Sequence, residues 1–315
     1  MSLWLIGAGP HAREYAKVLL SLKQPFKVIG RGTESASEFQ AIIGKSVLTC
    51  GLREAISFYG APKQAIVAVS YDQISAVASI MLRSGTSRIL LEKPAALSLL
   101  EIRSLNILAK KHVAQVLVGY NRRFYASTTL ARELILEDGG ATSCVFEFTE
   151  WSHTIEHMPL APITKCAWMI ANSSHVVDLA FHLCGTPDNW HAWQSGSIGW
   201  HPAAARFCGA GITNQGVLFS YHADWDAPGR WGVEVLTRKR RFVFRPMESL
   251  HVTHLGSTKL NKAVLDDSID LDYKPGLYRQ TQSFLEGIFN LHCTLEEQMK
   301  MIALYEQMAG YTIRG

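Results

Sequence analysis

The stretch LWLIGAGPHAREY, residues 3–15, decides the fold of the first part of the chain. A short apolar run is followed by Gly7, Gly9 and Ala12 in the order G-x-G-x-x-A, and then by a helix-like segment. In such a turn the first glycine allows a tight bend, and the second lets the backbone approach a pyrophosphate. A small third residue lets the helix pack on the strand. Because the helix start also offers unpaired N–H groups to an anion, the stretch predicts a strand, a phosphate-binding turn and a helix.

Short apolar runs continue to alternate with helix-like segments up to about residue 118. The runs are LWLIG, FKVIG, AIVAVS and SRILLE, and each is followed by a segment with helical spacing of its apolar residues. Strands that alternate with amphipathic helices are typical of βαβ units and of a parallel sheet. We therefore predict an α/β domain over residues 1–121, with a doubly wound parallel sheet of the Rossmann type.

The period changes after VLVGYNRRF. One helix-like segment, ASTTLARELILEDGG, leads into several strand-like runs with few helices between them, beginning with TSCVFEFTEW. Apolar and polar residues alternate in these runs, as they do in half-buried strands. Two helical stretches, at about residues 276–290 and 295–310, close the chain. We predict an α+β domain over residues 122–315 with a large, open, mainly antiparallel sheet, and with C-terminal helices that pack back on the first domain.

Composition and charge exclude several classes of protein. The 315 residues are 48% hydrophobic and 18% charged, with a formal net charge of +4. That charge is too small and too dispersed to favour a nucleic-acid partner, and the basic cluster in TRKRR is expected to form a solvated hairpin turn. Six cysteines without C-x-x-C spacing predict neither a disulfide framework nor a thiolate zinc site. With no long apolar segment, we expect a cytoplasmic protein without a membrane partner.

The residue after the second strand decides between the two nicotinamide cofactors. An acidic residue there would accept hydrogen bonds from the ribose of NAD, whereas an arginine would meet the 2′-phosphate of NADP. The chain reads FKVIGRGTES, so no acid ends the strand and Arg31 follows it. The prediction is NADP. The alternative is NAD, with Arg31 as an exposed loop residue and Glu34 reaching back to the ribose.

A second motif, LLEKPAALS at residues 90–98, follows a buried strand directly. Ser98 and Glu101 form a capping box that starts a helix. Glu92, Lys93 and Pro94 therefore lie where a strand ends, which is the part of an open α/β sheet where ligands bind.

Together with GYNRRF at residues 119–124 and SSHVVDLAFHLCG at 173–185, these motifs resemble the Gfo/Idh/MocA family of oxidoreductases over essentially the whole chain. This is the family of glucose–fructose oxidoreductase and inositol dehydrogenase. The resemblance implies an NAD(P)-dependent dehydrogenase that moves hydride between nicotinamide and a carbinol or ketone of a sugar, a sugar derivative or a cyclic polyol. It also implies a substrate domain whose sheet forms a homodimer or homotetramer.

The resemblance also assigns roles to individual residues. Lys93 is expected to contact the nicotinamide ribose and the substrate oxygen, where its charge would stabilise alkoxide character, and Pro94 is expected to follow a cis peptide bond. Lys165 matches a basic substrate contact. The residues expected at the substrate are Asp178, Tyr120, Asn121, Arg123 and Lys165. Those expected at the cofactor are Gly7, Gly9, Pro10, His11, Ala12, Arg31, Ser70, Glu92, Lys93 and Pro94.

One predicted helix carries His175, Asp178 and His182 on the same face. The two histidines are about 10 Å apart along the helix, so we predict no metal site. The family motif D-x-x-x-H-x-x-D matches His175 as the acid/base residue and Asp178 as the second acid, for which an ion pair is the alternative role. The first acid is replaced by Ala171. That departure leaves two alternatives open, a non-catalytic dinucleotide-binding sensor or scaffold and a reductase of a non-sugar imine or enone.

Overall fold

The computed structural model describes residues 2–311, which divide into two compact units. Unit 1 comprises residues 2–121 and 269–300, and unit 2 comprises residues 122–268 and 301–311. The segment 269–300, which the sequence prediction placed within the range of the second domain, therefore belongs to unit 1.

The secondary structure consists of strands β1–β15 and helices α1–α12. The strands are β1 Leu3–Ile6, β2 Lys27–Ile29, β3 Val47–Leu48, β4 Gln64–Val67, β5 Arg88–Glu92, β6 Gln115–Gly119, β7 Ser143–Phe148, β8 Pro187–Ser195, β9 Arg206–Thr213, β10 Leu218–Asp224, β11 Trp231–Leu236, β12 Arg240–Phe244, β13 His251–His254, β14 Asn261–Lys262 and β15 Cys293–Thr294. The helices are α1 Pro10–Ser21, α2 Thr33–Ile43, α3 Leu52–Tyr59, α4 Ile74–Arg83, α5 Leu99–Lys111, α6 Ala126–Glu137, α7 Ser152–Ile155, α8 Pro162–Cys166, α9 Ser174–Cys184, α10 Ser268–Asp272, α11 Leu277–Glu286 and α12 Leu295–Ala309. Short 3-10 turns lie at Tyr71–Gln73 and Asn121–Phe124, and a π-helical turn at Met169–Ser173 leads into α9.

Unit 1 is built on a seven-stranded sheet in the order β15-β6-β5-β4-β1-β2-β3. Every pairing is parallel except that of β15, which runs antiparallel to β6 at the edge. The strand order reverses at β1, whose two neighbours are β2 and β4. The predicted doubly wound sheet is confirmed. Because parallel strands end at one edge, the turns after β1, β4 and β5 lie together at the switch point, where open α/β sheets bind ligands.

The interior of unit 1 explains the continuous apolar runs of its sequence. All four residues of β1 are buried, and the inward face of α1 presents Tyr15, Ala16 and Leu19 to the same core. Helix α11 adds Leu277 and Phe284 to that core. Burying a leucine or phenylalanine side chain contributes about 1.5–3 kcal/mol. A strand covered on both faces therefore has no polar position, and alternation is absent.

Unit 2 contains an eight-stranded sheet in the order β14-β13-β12-β11-β7-β10-β9-β8. All pairings are antiparallel except that of β7 with β10. In β7, Cys144, Phe146 and Phe148 are buried, whereas Val145 between them is exposed. The Phe146 ring packs edge-on against Phe181 of α9, with 5.4 Å between the ring centroids. The predicted mainly antiparallel sheet is confirmed, and it carries α9 on one face.

Strand β9, with the sequence RFCGAGIT, was missed by the sequence analysis. Its glycines weaken the strand signal, yet the fold requires them. A Cβ on Gly209 would lie 2.5 Å from the Tyr221 ring, and one on Gly211 would lie 2.3 Å from the Trp190 Cβ.

The hairpin predicted for TRKRR is confirmed between β11 and β12. Across residues 2–311, no helix combines the length and apolar character needed to cross a membrane.

Candidate active site

The glycine turn after β1 is shaped first by the protein itself. Gly7 has a backbone φ of 122°, which residues other than glycine rarely adopt. A Cβ on Gly7 would lie 2.2 Å from the carbonyl oxygen of Ala68 at the end of β4. Its N–H donates to the Ile29 carbonyl of β2, at 2.8 Å. Gly7 is therefore required by the close approach of three strands.

Gly9 differs from Gly7, because nothing in the described protein requires glycine there. Its φ of −77° and ψ of −176° suit any residue, and a Cβ would meet no atom within 4 Å. It caps α1, with Pro10 in the first turn and Ala12 fully buried behind it. The open space lies in front of N–H groups that have no partner within the helix, where an anion is favoured. These residues fit a dinucleotide pyrophosphate, since a Cβ would intrude where the phosphate must approach.

The turn after β2 presents Arg31 on the surface. Its guanidinium lies 3.5 Å from the Gln73 side-chain oxygen, and no carboxylate within residues 2–311 forms an ion pair with it. The pKa of Asp72 is lowered, mainly by the hydrogen bond from Gln73 and to a smaller extent by the Arg31 charge. Glu34 is also exposed, in the first turn of α2. The structure therefore keeps both candidates for the ribose contact accessible.

Lys93 is held in a tight turn that follows β5. The Ala95 N–H donates to the Glu92 carbonyl at 3.0 Å, and the Lys93–Pro94 peptide bond is cis, as the resemblance implied. The Gln298 side chain donates to the Pro94 carbonyl at 2.9 Å and to the Tyr120 hydroxyl at 3.1 Å. These hydrogen bonds fix the position of the turn.

The Lys93 side chain is almost fully buried, with 2% of its surface exposed. Its Nζ lies 3.3 Å from the Tyr71 hydroxyl and 4.8 Å from the centroid of the same ring. An aromatic face stabilises a cation and limits its mobility. Tyr71 follows β4, so two adjacent turns at one edge of the sheet place this ammonium group.

Glu92 organises a second polar group at this edge. Its carboxylate accepts a hydrogen bond from the Tyr15 hydroxyl at 2.8 Å, and that hydroxyl lies 3.3 Å from the Gln280 side-chain amide. Burial, followed by the Glu92 charge, raises the pKa of Tyr15 well above its usual value. Tyr15 therefore stays protonated and donates. The sequence analysis selected Glu92 but missed Tyr15 and Gln280.

His11 lies between the glycine turn and Glu92. Its Nδ1 is 3.9 Å from the Glu92 carboxylate and 3.0 Å from the Lys274 Nζ. Burial lowers the pKa of His11; the Glu92 charge opposes this effect, and the Lys274 and Lys93 charges add to it. A neutral imidazole is therefore favoured at pH 7, and its Nδ1 accepts a hydrogen bond from Lys274. His11 does not add a positive charge next to the phosphate turn.

In unit 2, helix α9 carries His175 and Asp178, and both side chains are buried. The Asp178 carboxylate accepts two hydrogen bonds from the Arg123 guanidinium, at 2.9 and 2.6 Å. This bidentate pair corresponds to the ion-pair role that the sequence left open for Asp178. Burial, followed by the charges of Arg123 and Arg132, lowers the pKa of His182 well below its usual value.

A buried carboxylate from another element is hydrogen-bonded to the π-helical turn that contains Ala171. Ala171 lies in the π-helical turn before α9 and is buried. The Glu150 carboxylate, two residues past β7, accepts hydrogen bonds from Asn172 at 3.1 and 3.3 Å and from the Ser173 hydroxyl at 2.7 Å. Glu150 is itself buried. A buried carboxylate is thus attached to the turn that leads to His175, and the sequence analysis missed it.

Two of the three remaining candidate residues form hydrogen bonds within their own units, and the third is exposed. In unit 1 the Asn121 amide donates to the Pro275 carbonyl at 2.9 Å, and Ser70 is exposed just before the 3-10 turn after β4. In unit 2 the Lys165 ammonium donates to the Glu156 carbonyl at 2.6 Å. Lys165 of α8 is therefore bonded to the residue that follows α7.

The whole chain is similar in fold to solved dehydrogenases. It superposes on levoglucosan dehydrogenase in complex with NADH, with a TM-score of 0.81 and 16% identity, covering 98% of this chain and 96% of that chain. UDP-N-acetylglucosamine 3-dehydrogenase GnnA from Acidithiobacillus ferrooxidans matches with a TM-score of 0.74 and 17% identity, covering 98% and 96% of the two chains. An NAD binding oxidoreductase from Klebsiella pneumoniae matches with a TM-score of 0.77 and 13% identity, covering 100% and 97%. No family model and no curated protein matches the sequence. At this identity the likeness confirms the fold expected from the Gfo/Idh/MocA resemblance.

Proposed function

We propose that the protein is an NAD(P)-dependent dehydrogenase that acts on a sugar, a sugar derivative or a cyclic polyol. The observation that carries this proposal is the open space at Gly9, where neither the backbone nor a protein neighbour requires glycine. The bound nicotinamide would supply or accept the hydride. Two of the proteins similar in fold are named as dehydrogenases of levoglucosan and of UDP-N-acetylglucosamine, which supports a sugar-like substrate.

Lys93 would donate a hydrogen bond to the oxygen of the reacting carbinol or ketone. The ammonium group would stabilise the negative charge that develops on that oxygen. Its burial and its contact with Tyr71 support this role, because both limit the positions that Nζ can occupy. Tyr120 would support the same turn through Gln298, whose side chain also donates to the Pro94 carbonyl. Asn121 donates to the Pro275 carbonyl instead.

His175 would accept or return a proton of the substrate, as imidazoles do in acid–base catalysis. Glu150 would replace the acid that is absent at Ala171 and would orient the turn before α9. The absent acid was the reason to consider a non-catalytic sensor, and the Glu150 carboxylate weakens that reason. A reductase of an imine or enone remains the second candidate, and turnover with ketones but not imines would exclude it.

The cofactor preference that we propose is NADP. The support is the Arg31 guanidinium, which is exposed after β2 and has no carboxylate partner within residues 2–311. In the NAD alternative, the exposed Glu34 would accept hydrogen bonds from the ribose.

Titration of the purified protein with NADPH and NADH, followed by nicotinamide fluorescence, tests the cofactor site. We expect tighter binding of NADPH and a loss of about tenfold or more in its affinity in Arg31→Ala. Gly9→Ala should weaken both nucleotides, and Arg53→Ala, which removes an exposed arginine of α3, should weaken neither. If NADH binds more tightly, the NADP preference is wrong. If neither nucleotide binds, the proposed function is wrong.

Turnover of sugars and polyols tests the role of Lys93. We expect Lys93→Ala to lower kcat by about 100-fold or more, with cofactor affinity close to that of the wild type. Lys63→Ala, an exposed lysine of unit 1, serves as the control. Near-normal turnover by Lys93→Ala would contradict the assignment.

We also propose a cytoplasmic homodimer or homotetramer formed through the open face of the sheet in unit 2. Exposed apolar side chains on that sheet support this assembly, namely Val145, Trp193 and Leu218. Light scattering with the wild type and with Trp193→Asp would test it, and a monomeric wild type would refute it.

A further inference from the structure

Two arginine side chains of unit 2 lie close to the indole ring of Trp231, the first residue of β11. The Arg122 Cζ lies 5.0 Å from the Trp231 ring centroid, and the Arg230 Cζ lies 5.7 Å from it. Arg230 also lies 4.4 Å from the centroid of the Trp151 ring. We call Arg122, Arg230, Trp151 and Trp231 the arginine cluster.

Neither arginine of the cluster is neutralised by a carboxylate of the described residues. Among residues 2–311, no carboxylate forms an ion pair with Arg122 or Arg230, and the buried Nε of Arg122 has no hydrogen-bond acceptor. Nearby arginines behave differently, since Arg123 is paired with Asp178 and Arg245 with Glu147. Because buried donors nearly always have an acceptor in folded proteins, the buried Nε of Arg122 is an exception.

Stacking leaves these guanidinium groups able to bind an anion. A guanidinium that rests its face on an aromatic ring keeps its N–H donors in the plane, at the edges. Those edges match the two oxygens of a carboxylate or a phosphate. Arg122 is half-buried and Arg230 is exposed, so the cluster combines an ordered cation with an accessible one.

The position of the cluster connects it with the proposed chemistry. The Trp231 ring centroid lies 6.2 Å from that of His175, so the imidazole and both arginines lie near the same indole ring. We propose that the substrate that reaches His175 carries an anionic group, a carboxylate or a phosphate, which Arg122 and Arg230 bind. This inference rests on the proposed function and narrows its substrate class to acidic sugar derivatives.

Isothermal titration calorimetry with three matched probes tests the inference on the full-length protein. The probes are D-glucose, which is neutral, D-glucuronate, which carries a carboxylate, and glucose 1-phosphate, which carries a phosphate. We expect at least one anionic probe to bind about tenfold or more tightly than glucose, and the better of the two identifies the anion. If neither anionic probe binds more tightly than glucose, the inference is wrong.

Three variants then locate the binding. Arg122→Gln and Arg230→Gln should each lose most of the preference for the anionic probe. Arg238→Gln, which removes an exposed arginine from the β11–β12 turn of the same unit, should retain it. An anion preference that survives both cluster substitutions would overturn the inference, because an anion bound at the phosphate turn of unit 1 does not depend on them.

The readout also separates this inference from the proposed function. Probe binding is measured without turnover, and the titrations with NADPH and NADH are independent of Arg122 and Arg230. Anion binding at the cluster without nicotinamide binding would refute the dehydrogenase and leave the anion site standing. Nicotinamide binding with turnover of neutral sugars only, and no anion preference, would refute the anion site alone.

Discussion

Replacing Asp178 with asparagine separates a structural role of this carboxylate from a direct role in catalysis. In the folded protein both carboxylate oxygens accept hydrogen bonds from Arg123, at 2.9 and 2.6 Å, and the two side chains are 0% and 4% exposed. Asparagine keeps the shape but removes the charge and one of the two acceptors. Breaking a buried ion pair costs about 3–5 kcal/mol. For a domain of this size, that loss would lower the Tm by about 6–20 °C.

The measurement is urea and thermal unfolding followed by circular dichroism, with the free energy of unfolding compared between variants. A double variant, Arg123→Met with Asp178→Leu, provides the matched control, because a buried ion pair can be exchanged for apolar side chains at little cost. We expect the double variant to regain most of the stability that Asp178→Asn loses. Its cofactor affinity should also equal that of the wild type.

A different pattern would refute this reasoning. If Asp178→Asn unfolds at the wild-type temperature while its turnover falls steeply, the carboxylate acts on the substrate and the pairing with Arg123 is incidental. A double variant as unstable as the single one would show that the pair stabilises unit 2 through more than mutual neutralisation.

Three further predictions concern acid sensitivity, the π-helical turn and the glycine turn. Burial lowers the pKa of His201 from an ordinary 6.5 to about 4. Between these two pH values, His201 is mostly protonated in the unfolded chain and mostly neutral in the folded protein. The contribution of His201 to the free energy of unfolding is fully present above pH 6.5 and falls by about 3 kcal/mol as the pH falls to 4. In urea unfolding, the free energy of unfolding of His201→Gln should therefore decrease less than that of the wild type over this pH range. Glu150→Gln should lower kcat by about tenfold to 100-fold and shift its pH profile, with NADPH affinity unchanged; an unchanged pH profile would contradict a role for the carboxylate. Gly7→Ala should lose about 3 kcal/mol or more of its free energy of unfolding, because the new Cβ would clash with the Ala68 carbonyl. The free energy of unfolding of Gly9→Ala should lie within about 0.5 kcal/mol of the wild-type value. Equal stability of the two variants would contradict the different roles given to these glycines.

Much of unit 1 could be predicted because its signals are local. The strand, turn and helix at residues 3–15 depend on the conformational freedom of Gly7 and on the small size of Ala12. Both requirements can be read from the spacing of these residues within one short stretch of sequence. The capping box at Ser98 is also local, and the Ser98 side chain does accept from the Glu101 N–H, at 3.3 Å. The Glu101 carboxylate bonds the Leu97 N–H at 2.9 Å, one residue before the capping position.

Contacts between distant segments decided the rest. Tyr15 meets the Gln280 amide across 265 residues, and Arg123 meets Asp178 across 55. Glu150 reaches a turn 22 residues later in the chain. No periodicity or spacing predicts such pairs, because each depends on how two elements pack after both have formed. The sequence alone therefore determined the strand–helix alternation of unit 1 and the positions of the motifs. Only the tertiary structure decided which buried charges are paired and which arginines have no carboxylate partner within residues 2–311, since burial and neighbouring charge are properties of the packed chain.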